Sequence, residues 1–296
     1  MISRLFKNGS LMHKINNLAT VIDAEITSNR KVGAYHHIAF SVGNMAAHVR
    51  PGNFVALSVG GPGASTVLRR AFAIYRSTHL GNNQGQIELV IAPHGQGSSW
   101  VASRAVGEKV SMIGPLGTSF GIPSEPARAL LVGGGYGSAP LFGLSEVLKS
   151  RGCRVDMVLG ASTAMKIYAP LEGKRSVNSL TVTTEDGSAG TQGRVSDVIP
   201  ALIDENAIDV IYSCGPMGML EAITEIARTK GIVHQCAVEE SMACGIGVCM
   251  TCVLPVKGDD GVVRMLRSCI DGPVMDGESV QWQAKRTIPE GTWGGI

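Results

Sequence analysis

The chain has 296 residues, 44% of them hydrophobic and 17% charged, enough for two or more packed domains and too apolar for disorder. A formal net charge of +2 without a run of five like charges, and only 5% aromatic residues, exclude a nucleic-acid footprint, an anionic-membrane patch and a base-stacking surface. No stretch of eighteen apolar residues exists to span a bilayer. Met1 to Ala19 carries Arg4, Lys7 and Lys14 but no continuous apolar core, so it does not read as a signal peptide, and the cytoplasm is the expected compartment.

Residues 15–122 read as β structure. Ala24–Thr27, His37–Val42, Phe54–Val59, Ala71–Tyr75 and Ile87–Ala92 alternate or cluster as strands at near-regular spacing, which suggests a small barrel. One helix is expected near Ser98–Val106. Within this unit, Arg69 and Arg70 precede an apolar strand, where they could hold a pyrophosphate by charge-assisted bonds; a solvated pair is the plain alternative. Gly95-Gln96-Gly97-Ser98 ends a strand and begins a helix, with Ser98 as expected N-cap and free amides behind it as an anion site. Gly114-Pro115-Leu116-Gly117 closes the unit.

Residues 123–231 change character. Strands at Ala129–Val132, Arg154–Leu159, Leu180–Thr184 and Val210–Ser213 alternate with helices at Ala139–Arg151, Arg194–Ile203 and Met217–Lys230, the pattern of a parallel sheet covered on both faces. Gly133, Gly134, Gly135 and Gly137 lie between the first strand and its helix, where backbone amides can approach a phosphate. The run departs from G-x-G-x-x-G, and a tight turn without a ligand is the plain alternative. Cys214-Gly215-Pro216-Met217 follows the last strand on the same sheet edge, where open α/β sheets bind ligands; Cys214 is either a small buried residue or the neighbour of a nicotinamide ring.

From about 232 to 290 the alternation ends and cysteines take over. Cys244, Cys249, Cys252 and Cys269 are spaced C-x4-C-x2-C-x16-C in a glycine-rich stretch. That spacing is the plant-type ferredoxin pattern for a 2Fe-2S cluster. A structural zinc site is the alternative, but zinc prefers two C-x2-C knuckles and only Cys249 and Cys252 form one. Cys153, Cys214 and Cys236 are scattered and expected as free thiols. His36 and His37 fall on opposite strand faces, so joint metal binding is not expected.

The ordered set Arg70–Ile74, Gly95–Ser98, Gly114–Gly117, Gly133–Pro140 and Cys214–Met217 resembles the ferredoxin-reductase-like flavoproteins. With Glu239 to Cys252 and the tail Ser268-Cys269-Ile270-Asp271-Gly272-Pro273-Val274, it resembles the electron-transfer subunits of type B dihydroorotate dehydrogenases over about residues 20–282. That resemblance implies a multi-domain β plus α/β protein: an FAD-binding β-barrel (15–122), a Rossmann-like parallel α/β NAD domain (123–231) and a small 2Fe-2S cysteine-rich domain (232–290). It implies that electrons pass from the FMN of a separate dihydroorotate-oxidising catalytic subunit through the cluster and FAD to NAD+, in pyrimidine biosynthesis, within a heterotetramer of two of each chain. It further implies that Arg70 binds FAD phosphate, that Phe72 lies near the flavin, that Val90, Ile91 and Ala92 run beside it, and that Gly97 and Ser98 meet the diphosphate. Two positions depart from the family pattern: Ala71 replaces a proline, and Ala73 a hydroxyl residue that can bond flavin N5, a loss of about 0.5–1.5 kcal/mol. Two other readings stand beside this one: an FAD and 2Fe-2S reductase of a ferredoxin-linked, sulfide- or hydrogenase-type complex, and a zinc-stapled nucleotide-binding module. Gly160-Ala161-Ser162-Thr163 offers no arginine for a 2′-phosphate, though Lys166 is near, which favours NAD over NADP.

Overall fold

The structure is a computed structural model; it describes residues 5–6, 12–13, 19–61, 66–284, 289 and 292. Most of the N-terminal stretch read above, together with 15–18, 285–288 and 290 of the expected outer units, lies outside the described residues. A short strand β1 (Met12–His13) comes first. Six strands then close a barrel: β2 (Thr20–Val32), β3 (Tyr35–Ser41), β4 (Phe54–Leu57), β5 (Arg70–Gly81), β6 (Gln84–Ile91) and β7 (Lys109–Leu116), in the order β2-β3-β6-β5-β4-β7. Period-2 alternation turns Ile26, Ile38, Phe40, Val55, Leu57, Ile87, Leu89 and Met112 inward, all with no exposed surface. β8 (Ser119–Phe120) pairs with β1. The barrel's helix spans Gln96–Ala102 rather than Ser98–Val106, and its N-cap is Gly95. Ser98 stands three residues further in, its Oγ accepting from the Gly95 and His94 amides at 3.1 and 3.2 Å.

The second unit is a seven-stranded sheet: β9 (Arg128–Gly134), β10 (Arg154–Ala161), β11 (Ser179–Thr184), β12 (Thr191–Gln192), β13 (Val210–Cys214), β14 (Val233–Ala237) and, after the hairpin β15 (Val253–Lys257) and β16 (Val263–Arg267), β17 (Val274–Asp276). The order is β12-β11-β10-β9-β13-β14-β17, parallel except for β17. β9 shows why the sheet is covered twice. Leu131 and Ala129 join one core with Leu141, Leu144 and Leu148 of the helix Ala139–Ser150. Leu130 and Val132 join another with Ile199 and Ile203 of the helix Val195–Asn206 and Ile223 of the helix Met217–Lys230. The strand–helix alternation thus runs one strand further than the sequence reading, through β14, and the cysteine segment itself supplies the last strand. No helix among the described residues is long and apolar enough to cross a membrane.

Barrel and sheet are fused. Tyr35, Tyr75 and Val90 of the barrel share a core with Leu131, Leu141 and Phe142. Around it runs a polar seam. Tyr75 donates to the Glu172 carboxylate, Arg76 donates to Glu146 at 2.5 Å and Glu172 at 2.9 Å, and the rings of His37 and Tyr168 meet at Nδ1 and OH, 3.0 Å apart. His37 Nε2 lies 2.6 Å from Glu88 Oε2. That hydrogen bond holds the Glu88 carboxyl below its ordinary value, against the opposing effect of burial. A depressed carboxyl stabilises the fold above its unfolded pKa and loses that contribution as pH falls through the folded value. The melting-temperature gap between the native protein and Glu88→Gln should therefore be full at neutral pH and shrink as pH falls below 4.5. Thermal melts across acid pH check this; a gap constant with pH contradicts it.

Candidate functional site

The cysteine loop follows β14 and turns through left-handed backbone at Gly245, Gly247 and Met250 (φ +72°, +82° and +58°). These turns aim the amides of Ile246 and Val248 at Cys244 Sγ, at 3.5 and 3.3 Å. The Thr251 hydroxyl donates to Cys249 Sγ at 3.1 Å and brings that thiol down to about 6. Cys252 and Cys269 are buried, and burial, with the Cys252 thiol next, pushes Cys269 up to about 12. Iron must displace that proton, as thiolate rather than thiol is the ligand. Among the described residues no three His, Cys, Asp or Glu side chains close around one point. Cys244 helps lower the Cys249 thiol and Cys252 helps raise Cys269, so the thiols act on one another chiefly in those two pairs. One pair for each iron fits a binuclear cluster, whereas zinc needs its four donors on a single tetrahedral centre. Arg267 steadies the loop, donating to the Gly247 carbonyl at 3.0 Å.

This loop sits on the barrel. Cys252 and Cys269 share one apolar shell with Phe54 and Ala56 of β4 and Leu116 of β7, and Ala71 of β5 and Met242 pack against it. Along β5, Ala71 meets that shell, Phe72 packs on the barrel core, and Ala73 is exposed. The two arginines divide. Arg69 donates to the Ala56 and Ser111 carbonyls at 3.3 and 2.9 Å and to Ser111 Oγ at 3.0 Å, so it braces β4 and β7. Among the described residues Arg70 donates only to the nearby carbonyls of Leu68 and Arg69, and it lies across Gly97, where a Cβ would come within 2.9 Å of its Cγ. A guanidinium with donors to spare beside a bare helix start fits a diphosphate. Val90 and Ile91 are buried in the two cores, so only their backbone can face a ligand there; Ala92 reaches a cleft wall.

That cleft, of about 770 Å³, opens between the barrel and the carboxyl ends of the parallel strands. Gly134 and Gly135 line it, Gly133 is buried behind it, and Gly137 abuts Gly215: a Cβ on Gly137 would lie 2.7 Å from Gly215 Cα. The two loops approach backbone to backbone, which only glycine permits. Burial, with the Glu239 carboxylate second, pushes the Cys214 thiol up to about 12, so it is a neutral, polarizable neighbour rather than a nucleophile. Cys153 and Cys236 are buried free thiols, and Cys214 is half-buried.

Sequence reasoning passed over the lining residues Tyr136, Thr183, Glu185 and Arg194, weighed Lys166 only as a cation near a 2′-phosphate, and read Glu239 only as part of the cysteine motif. Thr183 Oγ1 is buried with no partner among the described residues. The signal was positional. Glu185 and Glu239 come one and two residues after β11 and β14, at the edge where doubly wound sheets bind ligands. Arg194, the N-cap of the helix Val195–Asn206, lines the same cleft. The residues therefore fit a dinucleotide in the cleft and a binuclear cluster in the loop.

Residues 239–281 match the family of the iron–sulfur cluster binding domain of dihydroorotate dehydrogenase B. The chain is 38% identical over 227 residues, 76% of its length and 84% of the relative's, to the electron transfer subunit of dihydroorotate dehydrogenase B (NAD(+)) from Bacillus caldolyticus. It is 35% identical over 252 residues, 84% and 94% of the two chains, to the subunit of the same name from Geobacillus thermodenitrificans. Among solved structures, an NADH-dependent reduced ferredoxin–NADP oxidoreductase is similar with a TM-score of 0.76 and 27% identity over 89% of this chain and 91% of that one. The ferredoxin reductase of carbazole 1,9a-dioxygenase, 24% identical over 74% and 68% of the two chains with a TM-score of 0.61, shares the fold.

The division of the arginines is testable. Arg70→Gln should raise the FAD dissociation constant about tenfold or more, the equivalent of one charge-assisted bond of about 1.5 kcal/mol, with the melting temperature of the apoprotein unchanged. Arg69→Gln should lower that melting temperature and keep FAD. Flavin retention on gel filtration and thermal melts of the apoprotein read the two effects; FAD loss from Arg69→Gln alone would reverse the assignment.

Proposed function

Because the chain belongs to the family of electron transfer subunits of dihydroorotate dehydrogenase B, we propose that it carries electrons from the FMN of a dihydroorotate-oxidising catalytic subunit, by way of a 2Fe-2S cluster and FAD, to NAD+ in pyrimidine biosynthesis. The supporting observation is the shared shell in which Ala71, one residue beyond Arg70, and the buried Cys252 and Cys269 pack together. A flavin held along β5 and a cluster held by those sulfurs then stand on two sides of one thin apolar wall. FAD, when bound, converts between hydride pairs and single electrons, and a 2Fe-2S cluster carries the single electrons.

The chain's own residues bind, orient and insulate. Arg70 and the amides around Gly97 and Ser98 hold the FAD diphosphate, Phe72 and the backbone of Val90 to Ala92 flank its ring, and Ala73 leaves the N5 side without a hydroxyl. Gly133, Gly134, Gly135 and Gly137 let the NAD diphosphate approach the backbone, and Cys214, protonated at neutral pH, walls the nicotinamide without exchanging a proton. Cys244, Cys249, Cys252 and Cys269 ligate the irons. No residue is needed as general acid or base for hydride transfer. On this reading the FAD unit is the barrel, the NAD unit is the sheet around β9 to β14, and the cluster unit follows Ala237.

The catalytic partner docks on the cluster face. Ile246, Val248, Met250 and Ile270 surround the cysteines and are exposed, Val248 by 76%. Apolar side chains gathered on one loop suit burial by a partner, in a heterotetramer of two of each chain. Seven free cysteines agree with a reducing compartment, and we place the protein in the cytoplasm. Reconstituted with the catalytic chain, the protein should reduce NAD+ at the expense of dihydroorotate; failure of that reaction in a fully loaded complex overturns the function. Val248→Asp should weaken assembly at least about tenfold while leaving iron, sulfide and flavin content unchanged, because an unpaired carboxylate would be buried at the interface. Analytical ultracentrifugation of the mixed subunits checks it.

A further inference from the structure

One side chain of the glycine loop crosses the cleft. Tyr136 follows the left-handed Gly135 (φ +56°) and reaches the barrel side, edge-on to Tyr35 at 6.5 Å and 67° and nearly parallel to His94 at 6.1 Å and 23°. Its hydroxyl donates to the Glu239 carboxylate on the far wall. The ring thus stands between the Ala92–His94 segment of the barrel and the Cys214 end of β13, and it is 37% exposed. On the reading of the cleft as the NAD+ site and of Cys214 as the neighbour of the nicotinamide, that is where the nicotinamide ring comes to lie.

We propose that Tyr136 is a positioning residue that fills the nicotinamide seat in the free protein and yields it to the nicotinamide ring when the dinucleotide binds; the proposal rests on the NAD+ reading of the cleft. The seat is already shaped for a flat ring, since His94 lies nearly parallel to the phenol. The hold is light: among the described residues, one stacking partner, one edge contact and one hydrogen bond in a partly exposed place. Only the nicotinamide half competes with it. The adenosine half falls at the other rim, beside Gly160, Thr183 and Arg194. A ligand that binds only the conformer with the ring withdrawn has its apparent affinity reduced by the fraction of that conformer, so a seat closed nine times in ten weakens NAD+ about tenfold and leaves ADP-ribose untouched.

The oxidised complex with its catalytic partner, titrated calorimetrically with NAD+ and with ADP-ribose, separates the possibilities. Tyr136→Ala should bind NAD+ about tenfold more tightly with ADP-ribose unchanged. Tyr136→Phe, which keeps the ring and loses the bond to Glu239, should fall between native protein and Tyr136→Ala for NAD+. If Tyr136→Ala weakens both ligands together, the phenol is a brace for the loop and the proposal is wrong. Unchanged NAD+ affinity in Tyr136→Ala also overturns it. If the native complex binds neither ligand, the NAD+ reading of the cleft falls, and the seat proposal with it; that result comes from the native titration before any variant is compared.

Discussion

The segment from Cys269 to Asp276 holds the rest of the molecule in register. In eight residues it supplies a cluster thiol, closes onto the barrel and adds a strand to the sheet. The Thr118 amide donates to the Gly272 carbonyl at 2.5 Å, and the Thr118 hydroxyl donates to the Val274 carbonyl at 3.2 Å. From Val274 onward β17 pairs antiparallel with β14, matching Cys236 to Met275. The fit allows no slack. A Cβ on Gly117 would strike Pro273 Cδ at 2.5 Å, and one on Gly52 would strike Val274 Cγ2 at 2.8 Å. Interiors packed this closely transmit displacement rather than absorb it. The position of the sulfurs relative to β5 is therefore set by contacts to both other units.

The nucleotide side is fixed by a different device. Barrel and sheet share one apolar core, and the polar seam of Tyr75, Arg76, Glu146, Glu172, Tyr168 and His37 surrounds it. Such networks specify one relative arrangement more than they add net stability, since each member buried without its partner would be unfavourable. The cleft between the units is then a consequence of where the seam lies. It leaves the carboxyl ends of β9, β10, β11 and β13 facing the barrel across open space.

Fold class was legible because periodicity reports it directly: alternation in β2 to β7, then apolar runs separated by helices from β9 to β13. The cysteine spacing was legible because ligand spacing is a local property. What sequence could not give was long-range pairing. β17 is three residues long, carries no alternation to detect, and becomes a strand only because β14 offers an edge. Arg69 and Arg70 are adjacent and alike in sequence, and only the fold turns one inward to Ser111 and the other across Gly97. Ser98 was misplaced within its helix for a related reason: Gly95 caps the helix through its backbone, which leaves no side-chain signature. Tyr136 and Glu239, a hundred residues apart, meet only through the order in which β9 and β14 enter the sheet.

The antiparallel pairing of β17 ties damage at the sheet edge to the inorganic centre. β17 adds to β14 and β14 to β13, so the chain leaving Cys269 is anchored five residues later on the edge of the nucleotide unit. A substitution that loosens that edge acts on the tether of a cluster thiol as well as on the sheet.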